Sequence, residues 1–156
     1  GQGMGRRAGS ENLIGIAGFG AAAEAAARDL ADGVWERVAG IRNVLDSALS
    51  GGESGTISVG HGASRLPNTL CLVTPGWKGE TQVMQMDLAG FAVSAGSACS
   101  SGKVRASRVL RAMGLDEVAA ASAMRVSLGP DTAEADAMRF AEVWAAARDR
   151  ARARMG

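Results

Sequence analysis

Ala123-Met124-Arg125-Val126-Ser127-Leu128 is the stretch on which the reading of the fold turns. It alternates with period two: Met124, Val126 and Leu128 fall on one side, Arg125 and Ser127 on the other, as in a half-buried strand. Helical signals flank it. Asp116 caps a short helix through Ala121, preceded by another from Arg108 to Met113 with Ser107 as its cap and Gly114 as its stop. The final helix is expected to start at Asp131 or Thr132, to carry Glu134 in its first turn, and to bury Ala137, Phe140, Ala141, Trp144 and Ala147.

Moving outward, the run from Asn68 to Thr74 reads as a second strand between Pro67 and Pro75-Gly76, with Cys71 at its middle. Thr56 to Val59 and Phe91 to Ser94 read as shorter strands. Lys78 to Ala89 shows Val83, Met84, Met86 and Leu88 in a helical pattern that Gly90 ends. Residues 1–11 read as an irregular loop that leads into a helix start at Ser10-Glu11-Asn12. Leu13 to Ala27 follows as a helix apolar around most of its surface, which other structure must cover. Arg28 to about Leu49 is a second helical stretch, broken near Gly33 or Gly40. It places Val34, Val38, Ile41, Leu45 and Leu49 inward, and Asp32, Glu36, Arg37, Arg42 and Asp46 outward. Helices and strands thus intermix in one α/β unit.

At 156 residues the chain fits one domain, and a net charge of +1 gives no reason to expect nucleic acid or an anionic membrane as partner. The crowding of Arg148, Arg150, Arg152 and Arg154 reads as a solvated helix end favoured by the helix dipole rather than a docking patch. No signal peptide or apolar run of membrane length is evident. Cys71 and Cys99 lie in unlike surroundings and offer neither a disulfide framework nor, with His61, a zinc spacing, so metal is not expected and a reducing cytoplasm is. The opening Gly1-Gln2-Gly3-Met4, without an initiator methionine, reads as a piece of something longer.

Three residues stand out chemically. Cys99 lies in Ser94-Ala95-Gly96-Ser97-Ala98-Cys99-Ser100-Ser101-Gly102, among small residues that leave a thiolate accessible. This is either a nucleophile or a flexible loop that happens to hold a cysteine. Arg125 is a lone cation in an otherwise apolar strand, and either snorkels to water or binds a carboxylate bidentately. Ser10, following Arg6 and Arg7 at a helix start, suits an anion or phosphate, or is a plain N-cap. Cys71 reads as a structural thiol and His61 as a surface residue rather than a base.

Gly5-Arg6-Arg7-Ala8-Gly9-Ser10-Glu11-Asn12, Arg65-Leu66-Pro67-Asn68-Thr69, the cysteine stretch and Met124-Arg125-Val126-Ser127-Leu128-Gly129, in this order, resemble the C-terminal part of group I cysteine desulfurases. These are pyridoxal-phosphate enzymes of the class V aminotransferase superfamily. The resemblance implies an α/β fold, the C-terminal small domain of a fold type I enzyme, with a small, mainly antiparallel sheet packed against helices. Residues 1–12 would then be a remnant of the large cofactor-binding domain, and 13–156 the C-terminal domain carrying the cysteine loop at 94–106.

The resemblance further implies that Cys99 takes sulfur from L-cysteine as a persulfide while alanine leaves, and that Arg125 anchors the substrate carboxylate. Ser10, where the family usually has threonine, would reach the cofactor phosphate of the neighbouring subunit in a homodimer. The persulfide would go to a sulfur acceptor or iron–sulfur scaffold protein. Lys78 and Lys103 lack the context of the family's cofactor lysine, so the chain is expected not to bind pyridoxal phosphate covalently alone. Two other readings remain: a catalytically incomplete module for dimerisation or acceptor docking, and a thiol carrier using Cys99 alone.

Overall fold

The fold was taken from a computed structural model, which describes residues 13–95 and 108–156. Ser10 and Cys99 lie outside the described residues. The chain divides into two compact units, residues 1–35 and 36–156. The first contains α1 (Leu13–Ala31), which runs past the expected end at Ala27. Gly33, at φ 72, breaks the path, and α2 (Val34–Leu49) starts directly after it. Gly40 stays inside α2. From Ala21 to Ala31 only Ala25 and Asp29 are even half-buried, so among the described residues none supplies the cover expected for this part of α1.

The second unit is built on a four-stranded sheet in the order β1-β2-β4-β3, made of β1 (Ile57–Ser58), β2 (Thr69–Val73), β3 (Ser94–Ala95) and β4 (Ala123–Ser127). Every pairing is antiparallel. The alternation read from the sequence sets the faces: Met124 and Val126 are buried, Arg125 and Ser127 exposed. Leu70 and Leu72, opposite Val126 and Met124, share the buried face. With them lie Val38, Ile41, Leu45 and Leu49 of α2 and Phe140 and Trp144 of α6 (Glu134–Met155), all in the core. Each such large side chain contributes about 1.5–3 kcal/mol by leaving water. On the opposite face, α4 (Arg108–Ala112) and α5 (Glu117–Ala121) bring Leu110, Ala119 and Ala120 against Val73 and Ala123. Asp116 caps α5 as expected, accepting from the Ala119 amide at 2.8 Å.

Several expectations are corrected. α3 (Gly79–Leu88) buries Gly79, Gln82 and Met86, whereas Met84 and Leu88 are exposed. A Cβ on Gly79 would collide with the Ala123 carbonyl oxygen, and this close approach turns the 79/82/86 row inward. Gln82 is then bonded on all sides: Nε2 donates to the carbonyls of Trp77 (2.8 Å) and Ser122 (3.0 Å), and Oε1 accepts from Trp144 Nε1 at 3.1 Å. The final helix starts at Glu134, because Thr132 Oγ1 instead closes the preceding turn by accepting from the Gly129 amide.

The arginines at its end are not all solvated. Arg148 is buried and donates to the Leu49 carbonyl at the end of α2, and Arg152 donates to the carbonyls of Glu53 and Ser54. Asp46, expected on the outer face of α2, is only 2% exposed. The strand expected from Phe91 is formed at Ser94 and Ala95 alone.

Candidate functional site

The open face of the sheet carries a row of side chains centred on Arg125. Cys71 pairs with Arg125 from β2 and Ser94 pairs with it from β3. The Leu128 amide donates to the Asn68 carbonyl at 2.8 Å. This bond puts Leu128, Val126 and Met124 at the hydrogen-bonded positions of the β2–β4 ladder. Cys71 and Arg125 then form a non-hydrogen-bonded pair, the closer of the two antiparallel geometries. Thr69 and Ser127 form the next such pair along the strands. Because α4 and α5 cover Val73 and Ala123, the row emerges from the packed end of the face at Cys71 and Arg125.

Cys71 is half-buried, and Arg125, Ser94 and Ser127 are exposed. Burial pushes the Cys71 thiol up, while the positive charge of Arg125 beside it pulls the other way. Among the described residues no hydrogen bond or ion pair engages the Arg125 guanidinium. A strand fixes its stem, so the planar head is offered to an incoming carboxylate. Cys71 was legible only as a structural thiol, since its neighbour is decided by strand register.

A second polar cluster organises the segment before β2. Asp46 Oδ1 accepts from Ser50 Oγ at 2.9 Å, and Oδ2 from His61 Nδ1 at 3.1 Å and Arg65 Nη2 at 3.0 Å. Arg65 also reaches Ser58 Oγ, and Arg42 donates to the Leu66 carbonyl. Burial alone would raise the Asp46 carboxyl, but hydrogen bonds with Ser58, His61, Ser50 and Arg65 outweigh it and hold the group below the usual carboxylate range. His61 is 71% exposed at its side chain, in accord with its reading as a surface residue, and it lies over Asp46. The cluster ties α2 and β1 to the Arg65-Leu66-Pro67-Asn68-Thr69 segment that leads into β2. The Ser/His/Arg convergence has no sequence signature, because its members come from separate turns.

Among the described residues no group of His, Cys, Asp and Glu is placed to hold a metal ion. No helix among them is long and apolar enough to cross a membrane. Lys78, the one lysine among the described residues, is exposed ahead of α3 and lines an open cleft of about 310 Å³ with Gly76, Glu117, Val118, Ala121 and Ser122. The cleft presents no imidazole or aromatic face for a pyridine ring. These residues do not fit a pyridoxal-phosphate site.

Comparison with known proteins agrees with the motif blocks. The family model for aminotransferase class V matches residues 1–140. A cysteine desulfurase of Gluconacetobacter diazotrophicus is 39% identical over 142 residues, which cover 91% of this chain and 35% of that protein. Cysteine desulfurase IscS 1 of Archaeoglobus fulgidus is 38% identical over 148 residues, covering 92% of this chain and 37% of the relative. Among solved structures, a NifS-like protein from Rickettsia africae superposes with a TM-score of 0.74 at 28% identity, over 88% of this chain and 35% of that one. The chain spans about a third of the length of the curated relatives it matches.

Proposed function

Because the chain belongs to the class V aminotransferase family, we propose that it is the C-terminal part of a cysteine desulfurase and supplies that enzyme's thiol and carboxylate anchor. The observation that carries this reading is the exposed guanidinium of Arg125. It has no hydrogen-bond or ion-pair partner among the described residues and sits beside Ser94, on the strand that continues in sequence toward Cys99. Relatives named cysteine desulfurase at 38–40% identity support it.

In this reading Arg125 binds the carboxylate of L-cysteine and orients its sulfur toward the Cys99 thiolate. The new sulfur–sulfur bond forms on Cys99 as the substrate's carbon–sulfur bond breaks and alanine leaves. Pyridoxal phosphate would be held by the large domain, with Ser10 contributing a hydroxyl to its phosphate across a homodimer, and would supply the electron sink for carbon–sulfur cleavage. Residues 1–12 belong to the cofactor-binding side and 13–156 to the C-terminal domain. The persulfide passes to a cytoplasmic sulfur acceptor, such as an iron–sulfur scaffold protein.

The test is to fuse or add in trans the large domain of a relative and measure alanine release from L-cysteine. Cys99→Ala is expected to abolish turnover. Arg125→Ala is expected to lower kcat/KM by roughly 10- to 150-fold, the loss of a charge-assisted contact of about 1.5–3 kcal/mol. Turnover that survives Cys99→Ala overturns its role. The alternative reading is a docking or dimerisation module without turnover. Scaffold binding without alanine release under any supplementation would select it.

A further inference from the structure

We propose that Phe91, Ala92 and Val93 form a strap that zips onto Val126, Ser127 and Leu128, lengthening β3 and fixing Ser94 beside Arg125. Extending the β3–β4 register beyond the Ser94–Arg125 pair sets Val93 opposite Val126, Ala92 opposite Ser127 and Phe91 opposite Leu128. Those same six residues line a groove of about 130 Å³, together with Leu45, Thr132, Asp136, Ala137 and Phe140. The strap therefore lies alongside its matching edge of β4 without being paired to it.

Backbone bonding favours the same zip. In β4 the amides and carbonyls of Val126 and Leu128 point toward β2, so those of Ser127 point to the outer edge, where Ala92 would meet them. Among the described residues no hydrogen bond joins 91–93 to 126–128. A strand edge left with unpaired polar groups is a template for pairing. Burial along 91–95 already alternates, with Ala92 and Ser94 exposed and their neighbours half-buried, in phase with the faces of β4. Phe-Ala-Val is also a strand-compatible run.

The strap is held at both ends. The Phe91 amide donates to the Met86 carbonyl at 2.8 Å, and its ring packs edge-on against Phe140 with centroids 5.4 Å apart. At the other end the Ser94–Arg125 pair is secure only within a two-residue strand. Strands this short are marginal alone. Zipping moves Ala92 and Val93 toward β4, closes the groove, and holds the Ser94 hydroxyl on the flank of the Arg125 guanidinium. Unzipping loosens that flank. Only the link to carboxylate binding rests on the function proposed above for Arg125.

Disulfide trapping tests the zip. In a Cys71→Ser, Cys99→Ser background, Ala92→Cys with Ser127→Cys should cross-link under mild oxidant at least tenfold faster than Ala92→Cys with Gly129→Cys, which is out of register. Equal rates, or no 92–127 cross-link, overturn the proposal. In the otherwise unmodified chain, the Ser127 amide, donating to the Ala92 carbonyl, should exchange with deuterium more slowly than a free amide, and Ala92→Pro, which removes the companion bond from the Ala92 N–H to the Ser127 carbonyl, should weaken the pairing and lower that protection. Protection unchanged by Ala92→Pro also overturns it. L-alanine titrated into the cross-linked chain and followed by NMR should bind more tightly than to the reduced form. Cross-linking with unchanged alanine affinity leaves the strap standing and overturns its link to Arg125.

Discussion

Replacing Asp46 by asparagine tests whether the buried carboxylate holds the approach to β2. The asparagine side chain would keep one oxygen for Ser50 but set an NH2 against Arg65 Nη2 and His61 Nδ1, which the carboxylate meets at 3.0 and 3.1 Å. The His61 contact contributes little, because its ring is 71% exposed and water replaces the bond. The Arg65 contact counts for more, since that side chain is 16% exposed and its partner 2%. Losing a charge-assisted hydrogen bond costs about 1.5–3 kcal/mol. Urea unfolding at neutral pH should therefore show a midpoint lower by roughly 1 M, taking a slope of about 2 kcal/mol per molar.

The pH dependence fixes the sign. The folded carboxyl is held below its ordinary value, so its ionised form contributes stability that is fully present above the unfolded carboxylate pKa of about 4. That contribution is lost as pH falls through the still lower folded value. The gap between parent and Asp46→Asn should accordingly shrink on acidification below about pH 4. A midpoint shift under about 0.3 M, or a gap that stays constant with pH, refutes the reasoning.

Gln82→Leu should destabilise the chain by about 2–4 kcal/mol in urea melts, because it leaves the buried Trp144 Nε1–H without its acceptor and two carbonyls without their donor. Gly79→Ala should cost at least about 2 kcal/mol, since the new methyl meets backbone at Ala123, and an unchanged melting temperature would contradict that contact. Cys71 should react with iodoacetamide slowly at neutral pH and faster as pH rises past the usual thiol range, read by mass spectrometry in a Cys99→Ser background. In the same assay Arg125→Ala should slow Cys71 further, because the cation that favours the thiolate is gone.

What the sequence determined by itself was local. Period-two alternation around Arg125 identified the central strand and its exposed cation. Gly90 and Gly114 marked the helix stops, and Asp116 marked a cap, because such signals act within a few residues. The motif blocks carried the family. Cys99 and Ser10 were legible as chemistry, and their roles remain proposals outside the described residues.

Tertiary structure decided what depends on distant partners. Asp46 lies on the side of α2 that a period-3.6 reading assigns to solvent, yet the turns bearing His61 and Arg65 close over it. Gln82 looks like a surface residue until Trp77, Ser122 and Trp144 converge on it, and Arg148 until it meets the end of α2. Cys71 became the neighbour of Arg125 through strand register, a property of two segments that neither encodes alone. Phe91 to Val93 shows the same limit: the run is suited to a strand, but pairing needs an edge at the right distance, and here the run and the edge line one groove.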